Sequence, residues 1–148
     1  MATQEITIDN FESTVAENDI VLLDFWAGWC GPCRAFGPIF ERASETHPDL
    51  VFGKIDTDAQ QQLAAGFRIT SIPTLMAFRS GILVFAQPGA LPAPQLDRLI
   101  GAIAELDMDA VRAQLAAEGS SGNEPVESAG SAVDARTPER AGGQEAAR

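Results

Sequence analysis

The chain has 148 residues, 45% of them hydrophobic, which suits one domain of ordinary size with a packed core. Acidic side chains number 21 against 10 basic ones, and the resulting formal charge of -11 repels phosphate backbones and anionic lipid, so no nucleic acid and no membrane partner is expected. The start, Met1-Ala2-Thr3-Gln4-Glu5, has no basic segment ahead of an apolar run, and no stretch of about 18 apolar residues occurs anywhere, so a cytoplasmic location is expected.

Thr7 and Ile8 close a short strand-like start, after which Asp9 or Asn10 is placed to cap a helix with Phe11, Val15 and Ala16 on one side. Ile20 to Trp26 is an almost unbroken apolar run rich in β-formers, the pattern of a central strand covered on both faces. A Cys-Gly-Pro-Cys segment then opens a helix in which Phe36, Ile39, Phe40 and Ala43 recur at helical spacing, with Pro38 expected to kink it and His47-Pro48 to end it. Leu50 to Asp56 reads as a second strand and Ala59 to Ala65 as a short helix stopped by Gly66. This β-α-β-α series implies parallel strands with helices on both faces. Thr74 to Arg79, a Ser80-Gly81 turn and Ile82 to Ala86 form an antiparallel hairpin. A last helix spans roughly Pro94 to Leu106 on Leu96, Leu99, Ile100 and Ile103, and Asp107 can cap an extra turn or two through Val111 and Leu115.

At Gly119 the composition changes. From there to Arg148 no aromatic residue occurs and only Val126 and Val133 are large and apolar, too little buried surface to offset ordering entropy. The expected organisation is a folded domain over 1–118 and a disordered, low-complexity tail over 119–148.

Only two cysteines exist, Cys30 and Cys33, and a loop this small hardly restricts an unfolded chain, so the pair points to chemistry rather than to stapling. A thiolate is the species that attacks disulfide sulfur, and the free N–H groups and positive dipole end of a helix N-terminus favour that form at Cys30. Cys33, one turn further in, stays within reach to resolve a mixed disulfide. Gly31 lets the chain turn into the helix, and Pro32 loses nothing at a position whose N–H would have no partner. Zinc normally takes four ligands, and His47 is the single further candidate of the usual kind, so no metal is expected. Asp24 is out of place in an apolar strand. Desolvation there raises its pKa, unless it sits near a strand end and reaches water.

Phe25-Trp26-Ala27-Gly28-Trp29-Cys30-Gly31-Pro32-Cys33, then Lys54-Ile55-Asp56-Thr57-Asp58, then Phe67 through Leu75 with Ile72-Pro73, and finally Gly89-Ala90 resemble the thioredoxin family, in order, over residues 5 to 106. The resemblance implies an α/β thioredoxin fold, with a central mixed sheet of four to five strands flanked by helices. It implies a protein-disulfide reductase and electron carrier that works by dithiol-disulfide exchange. Cys30 is then the exposed nucleophile and Cys33 the more buried resolving thiol. Asp24 is the buried carboxylate that moves protons to and from Cys33. Pro73 is a cis-proline packed on the pair, although spacing alone favours a trans Ile72-Pro73 bond. Ile72 would offer backbone hydrogen bonds to a client chain, on a docking surface shared with Trp29, Gly31, Pro32, Gly89 and Ala90.

Lys54 is either a tuning residue near Asp24 or a solvated lysine, and Trp26 is read as core packing rather than client contact. The same resemblance implies that no cofactor binds and that NADPH acts indirectly, through thioredoxin reductase as partner. Clients would be of the ribonucleotide reductase, peroxiredoxin or methionine sulfoxide reductase types, met by a monomer. Gly28 and Arg34 depart from the family's usual residues. A redox-inert binding module and a donor dedicated to one enzyme remain alternative readings.

Overall fold

The computed structural model describes residues 2–120, with side chains through 118; the rest of the segment expected to form a tail lies outside the described residues. Its elements are β1 (Thr3–Glu5), α1 (Phe11–Glu17), β2 (Ile20–Trp26), α2 (Gly31–Thr46), β3 (Val51–Asp56), α3 (Gln61–Gly66), β4 (Thr74–Arg79), β5 (Ile82–Pro88), α4 (Ala93–Ala104) and α5 (Met108–Ser120). They fall into two units, one ending at Leu106 and one beginning at Asp107.

In the first unit the strands form one mixed sheet in the order β1-β3-β2-β4-β5. Parallel pairing joins β1 to β3 and β3 to β2, and antiparallel pairing joins β2 to β4 and β4 to β5. The apolar run of β2 takes the centre because both of its faces are covered. Ile20 and Leu22 meet Phe36, Phe40 and Ala43 of α2 and Leu96, Ile100 and Ile103 of α4. On the opposite face Val21, Leu23 and Phe25 meet Val15 of α1 and Leu63 of α3. Phe25, Phe36, Phe40 and Phe52 are fully buried. At about 2–3 kcal/mol per ring, they contribute far more than closing a four-residue disulfide loop could.

Several boundaries differ from the sequence expectation. β1 occupies Thr3–Glu5, and Thr7 and Ile8 lie in a turn beyond it. Asn10 sets that turn: its Oδ1 accepts from Thr7 N at 2.8 Å and its Nδ2 donates to Glu5 O at 3.1 Å, so its side chain faces back toward the strand and caps nothing in α1. Ala16 is exposed, whereas Val15 is buried. α3 starts two residues late because Asp56 Oδ1 holds the preceding turn, accepting from Asp58 N at 2.9 Å. Gly66 belongs to α3, and Arg68, with φ of 57°, is the left-handed residue that ends the segment. α2 continues through Pro38 to Thr46. The hairpin turn has positive φ at both Ser80 and Gly81, 55° and 80°, the mirror-image turn that matches strand twist.

In the second unit, Asp107 Oδ1 accepts from Asp109 N at 3.1 Å and Ala110 N at 3.2 Å, capping α5, which runs to Ser120 rather than stopping after a turn or two.

Arg79 ties the far end of the sheet to α4. Its Nη1 donates to Ile103 O at 2.7 Å and Ala104 O at 3.2 Å in the last turn of the helix, where Ile103 O also accepts a long bond of 3.3 Å from Leu106 N, while its Nε donates to Asp19 Oδ2 at 3.2 Å. With that side chain only 16% exposed, Arg79→Met is expected to cost about 2–3 kcal/mol in urea unfolding. A loss under about 0.5 kcal/mol, the range of ordinary surface changes, would show that the carbonyls are equally well served by water.

Candidate active site

β2 ends at Trp26, and the chain crosses to α2 through Ala27-Gly28-Trp29. Cys30 is the N-cap of α2, in extended conformation, and Gly31 and Pro32 fill the first helical positions, both exposed. Cys30 and Cys33 are joined by a disulfide, with Cα atoms 5.3 Å apart. The Cys33 N–H points at Cys30 Sγ, 3.2 Å away, so the sulfur at position 30 takes the place that a Ser or Asp oxygen takes in an ordinary cap. An anion at that atom gains both this hydrogen bond and the helix dipole. Contrary to the expectation of an exposed nucleophile, Cys30 is no more exposed than Cys33: each is 4% accessible, in a buried cluster with Ala27 against which Trp26 and Ile72 pack. The two sulfurs differ in electrostatic setting, not in overall burial.

In β2, the strand that leads to the pair, Asp24 is fully buried, and neither carboxylate oxygen has a hydrogen-bond partner. It does not sit at a strand end reaching water. Desolvation raises its pKa from 3.8 to about 7, with the attraction of Lys54 opposing part of that rise. The sheet explains why Lys54 is the neighbour, since Asp24 and Lys54 are register partners across β2 and β3. Lys54 is half-buried, its Nζ 5.2 Å from the Trp26 ring centroid, which removes the reading of a freely solvated lysine. Trp26 itself is partly buried against the cysteine pair, as core packing requires. Trp26, Cys33, Arg34, Gly37, Pro38, Glu41 and Lys54 line a groove of about 420 Å³ on this side.

On the other side the β4 end of the sheet delivers Ile72 and Pro73. The Ile72-Pro73 bond is cis, and Cys30 Sγ lies 3.7 Å from Ile72 O. Gly89, with φ of 107°, donates its N–H to Pro73 O at 2.8 Å, a close backbone approach in a conformation that suits glycine; Ala90 follows it, exposed. Trp29 is 69% exposed and its indole N–H donates to Asp58 Oδ2 at 3.1 Å. Trp29, Thr57, Ala64, Ile69, Thr70, Ser71 and Ile72 border a second groove, of about 400 Å³. Sequence reasoning passed over Asp58, Thr57 and Ile69 as site residues. The Asp56-Thr57-Asp58 run was visible, but nothing local shows that the β3–α3 connection folds back to the indole.

Among the described residues no cluster of three or more His, Cys, Asp or Glu could hold a metal ion, and no helix is long and apolar enough to cross a membrane.

A cysteine pair at a helix N-terminus, following a strand that holds a buried carboxylate and beside a cis-proline, is the site of a thiol-disulfide oxidoreductase. The chain belongs to the thioredoxin family: a family model described as Thioredoxin matches residues 2–102. It is 57% identical over 115 residues to "Putative thioredoxin 2" of Streptomyces coelicolor, covering 78% of this chain and 86% of that one. It is 44% identical over 93 residues to a thioredoxin of Haemophilus influenzae, covering 62% and 87%. Among solved structures, a mutant thioredoxin from Halobacterium salinarum superposes with a TM-score of 0.65 at 34% identity, covering 70% of this chain and 91% of that one.

Proposed function

We propose that this oxidoreductase works in the reducing direction, as a protein-disulfide reductase of the cytoplasm. The observation that carries the exchange chemistry is the Cys33 amide aimed at Cys30 Sγ at the start of α2, an arrangement that favours a thiolate at Cys30 over one at Cys33; the reducing direction rests on the likeness to thioredoxins, since a stabilised thiolate by itself makes a pair more oxidising. The Cys30 thiolate attacks one sulfur of a client disulfide. A Cys30-client bond forms, and the second client sulfur leaves as a thiolate that takes a proton from water. Asp24 accepts the proton of Cys33, whose thiolate then attacks Cys30 Sγ and releases the first client sulfur. Two electrons have passed from the Cys30–Cys33 dithiol to the client, and the pair is left oxidised.

Client backbone pairs with Ile72 beside Pro73, on a surface completed by Trp29, Gly31, Pro32, Gly89 and Ala90, and Lys54 tunes Asp24. A thioredoxin reductase restores the dithiol at the expense of NADPH, and the clients are enzymes that accumulate disulfides in turnover, of the ribonucleotide reductase, peroxiredoxin or methionine sulfoxide reductase types. One monomer holds every group named in this cycle, all within residues 1–118.

A coupled assay with NADPH, thioredoxin reductase and insulin tests the reading. Wild type is expected to turn over and Cys30→Ser to fall to background; equal rates in the two would end it. Equilibration with glutathione fixes the direction: a pair more oxidising than the glutathione pool would make the protein an oxidant instead.

A further inference from the structure

The segment between β2 and the nucleophile carries a glycine where its backbone has least support. Gly28 is exposed, and a Cβ built on it would meet nothing within 4 Å, so no neighbour packs over the chain there. Glycine also has the widest backbone freedom of any residue. Yet this short loop must present both Trp29, the most exposed large apolar side chain of the site, and Cys30. Three hydrogen bonds hold it. Cys30 N donates to Ala27 O at 3.2 Å, closing a turn around Gly28. Trp29 Nε1 donates to Asp58 on one flank. On the other flank Arg34, in the first turns of α2, sends its Nη1 across to Gly28 O at 2.8 Å. The guanidinium is always charged and its planar fork loses little freedom on bonding, so this is the stronger kind of hydrogen bond.

We propose that Arg34 is a positioning residue for the exchange reaction: by holding the Gly28 carbonyl it fixes the Ala27-Gly28-Trp29 loop so that Trp29 and Cys30 meet the client in one arrangement. The glycine at 28 and the arginine at 34 are then one device, the long side chain supplying the order that the glycine gives up. The kinetic part of this inference rests on the reductase reading; the loop-ordering part does not.

The test uses the full chain as wild type, Arg34→Met, Gly28→Ala and the double variant, all reduced. Methionine keeps the apolar stem and removes every donor. Backbone amide order parameters at Gly28 and Trp29 are expected to fall in Arg34→Met from about 0.85 toward 0.6 or below. Client KM is expected to rise about five-fold, the worth of one hydrogen bond, with kcat little changed. That rise should persist in 1 M salt, where the screening length is about 3 Å and a role through charge alone would disappear. Gly28→Ala narrows the loop's backbone freedom at a site with room for the methyl, so it should lower KM in the Arg34→Met background more than in wild type. Order parameters unchanged by Arg34→Met, a KM loss abolished by salt, or strictly additive KM effects would each overturn the proposal. If wild type itself fails to turn over a client, the reductase reading falls, and the order parameters still decide whether the clamp exists.

Discussion

At pH 8, Asp24→Asn is expected to be more stable than wild type by about 4 kcal/mol, from a folded-state pKa of about 7 against an unfolded value of 3.8. The sign follows from proton uptake. Because the folded value is raised, the native state binds more protons than the unfolded chain between pH 4 and 7. Stability therefore falls as pH rises through that window and is lowest above pH 7, where a charged carboxylate is held away from water. Asparagine, matching the protonated acid in size and charge, removes the penalty. At pH 4 the gain should shrink to about half a kcal/mol. Urea unfolding of both proteins at the two pH values checks this, and equal differences at pH 4 and pH 8 would mean that Asp24 is not the titrating group. The same variant is expected to release product about 10²-fold more slowly, since the Cys33 proton loses its acceptor. A buried carboxylate that costs stability at working pH fits the proton-acceptor role proposed for it.

Cys33→Ser is expected to lower turnover by about 10³-fold or more while leaving the first attack intact. The loss comes from replacing an attack by a sulfur held in the next turn of α2 with attack by dilute external thiol. A client adduct through Cys30 should accumulate, visible on a non-reducing gel and by intact mass. Preserved turnover, or a single round with no adduct, would contradict separate attacking and resolving sulfurs. The identities of the trapped proteins also separate a broad reductase from a donor dedicated to one enzyme.

What could be seen in the sequence was mostly what local patterning encodes. The apolar run of β2, the cysteine pair opening α2, the Ser80-Gly81 turn and the lone carboxylate at Asp24 are all written in consecutive residues. Features that depend on distant residues meeting were not legible. Glu41 of α2 accepts from Ala2 N and Thr3 Oγ1, bringing the chain's start against α2, and no periodicity marks it. The cis Ile72-Pro73 bond is opposed by local statistics and was reached through resemblance alone. Equal burial of the two cysteines was missed because one of the covering groups, Ile72, comes from the segment before β4, far from the motif that contains Trp26. The reversed role of Asn10 and the left-handed Arg68 show the same limit on a smaller scale, where a competing hydrogen bond or helix ending wins over the usual residue preference.

The register that pairs Phe25 with Thr74 joins the two halves of the site, since the cysteines follow β2 and Ile72-Pro73 precedes β4. That antiparallel seam is what holds the two halves together. Reductase activity is thus also a gauge of assembly: if β4 and β5 peel from β2, the assay goes silent while the β1-α1-β2-α2-β3 portion is still intact. Comparing loss of activity with loss of helical signal along a denaturant titration would reveal whether the molecule opens at this seam before it melts as a whole.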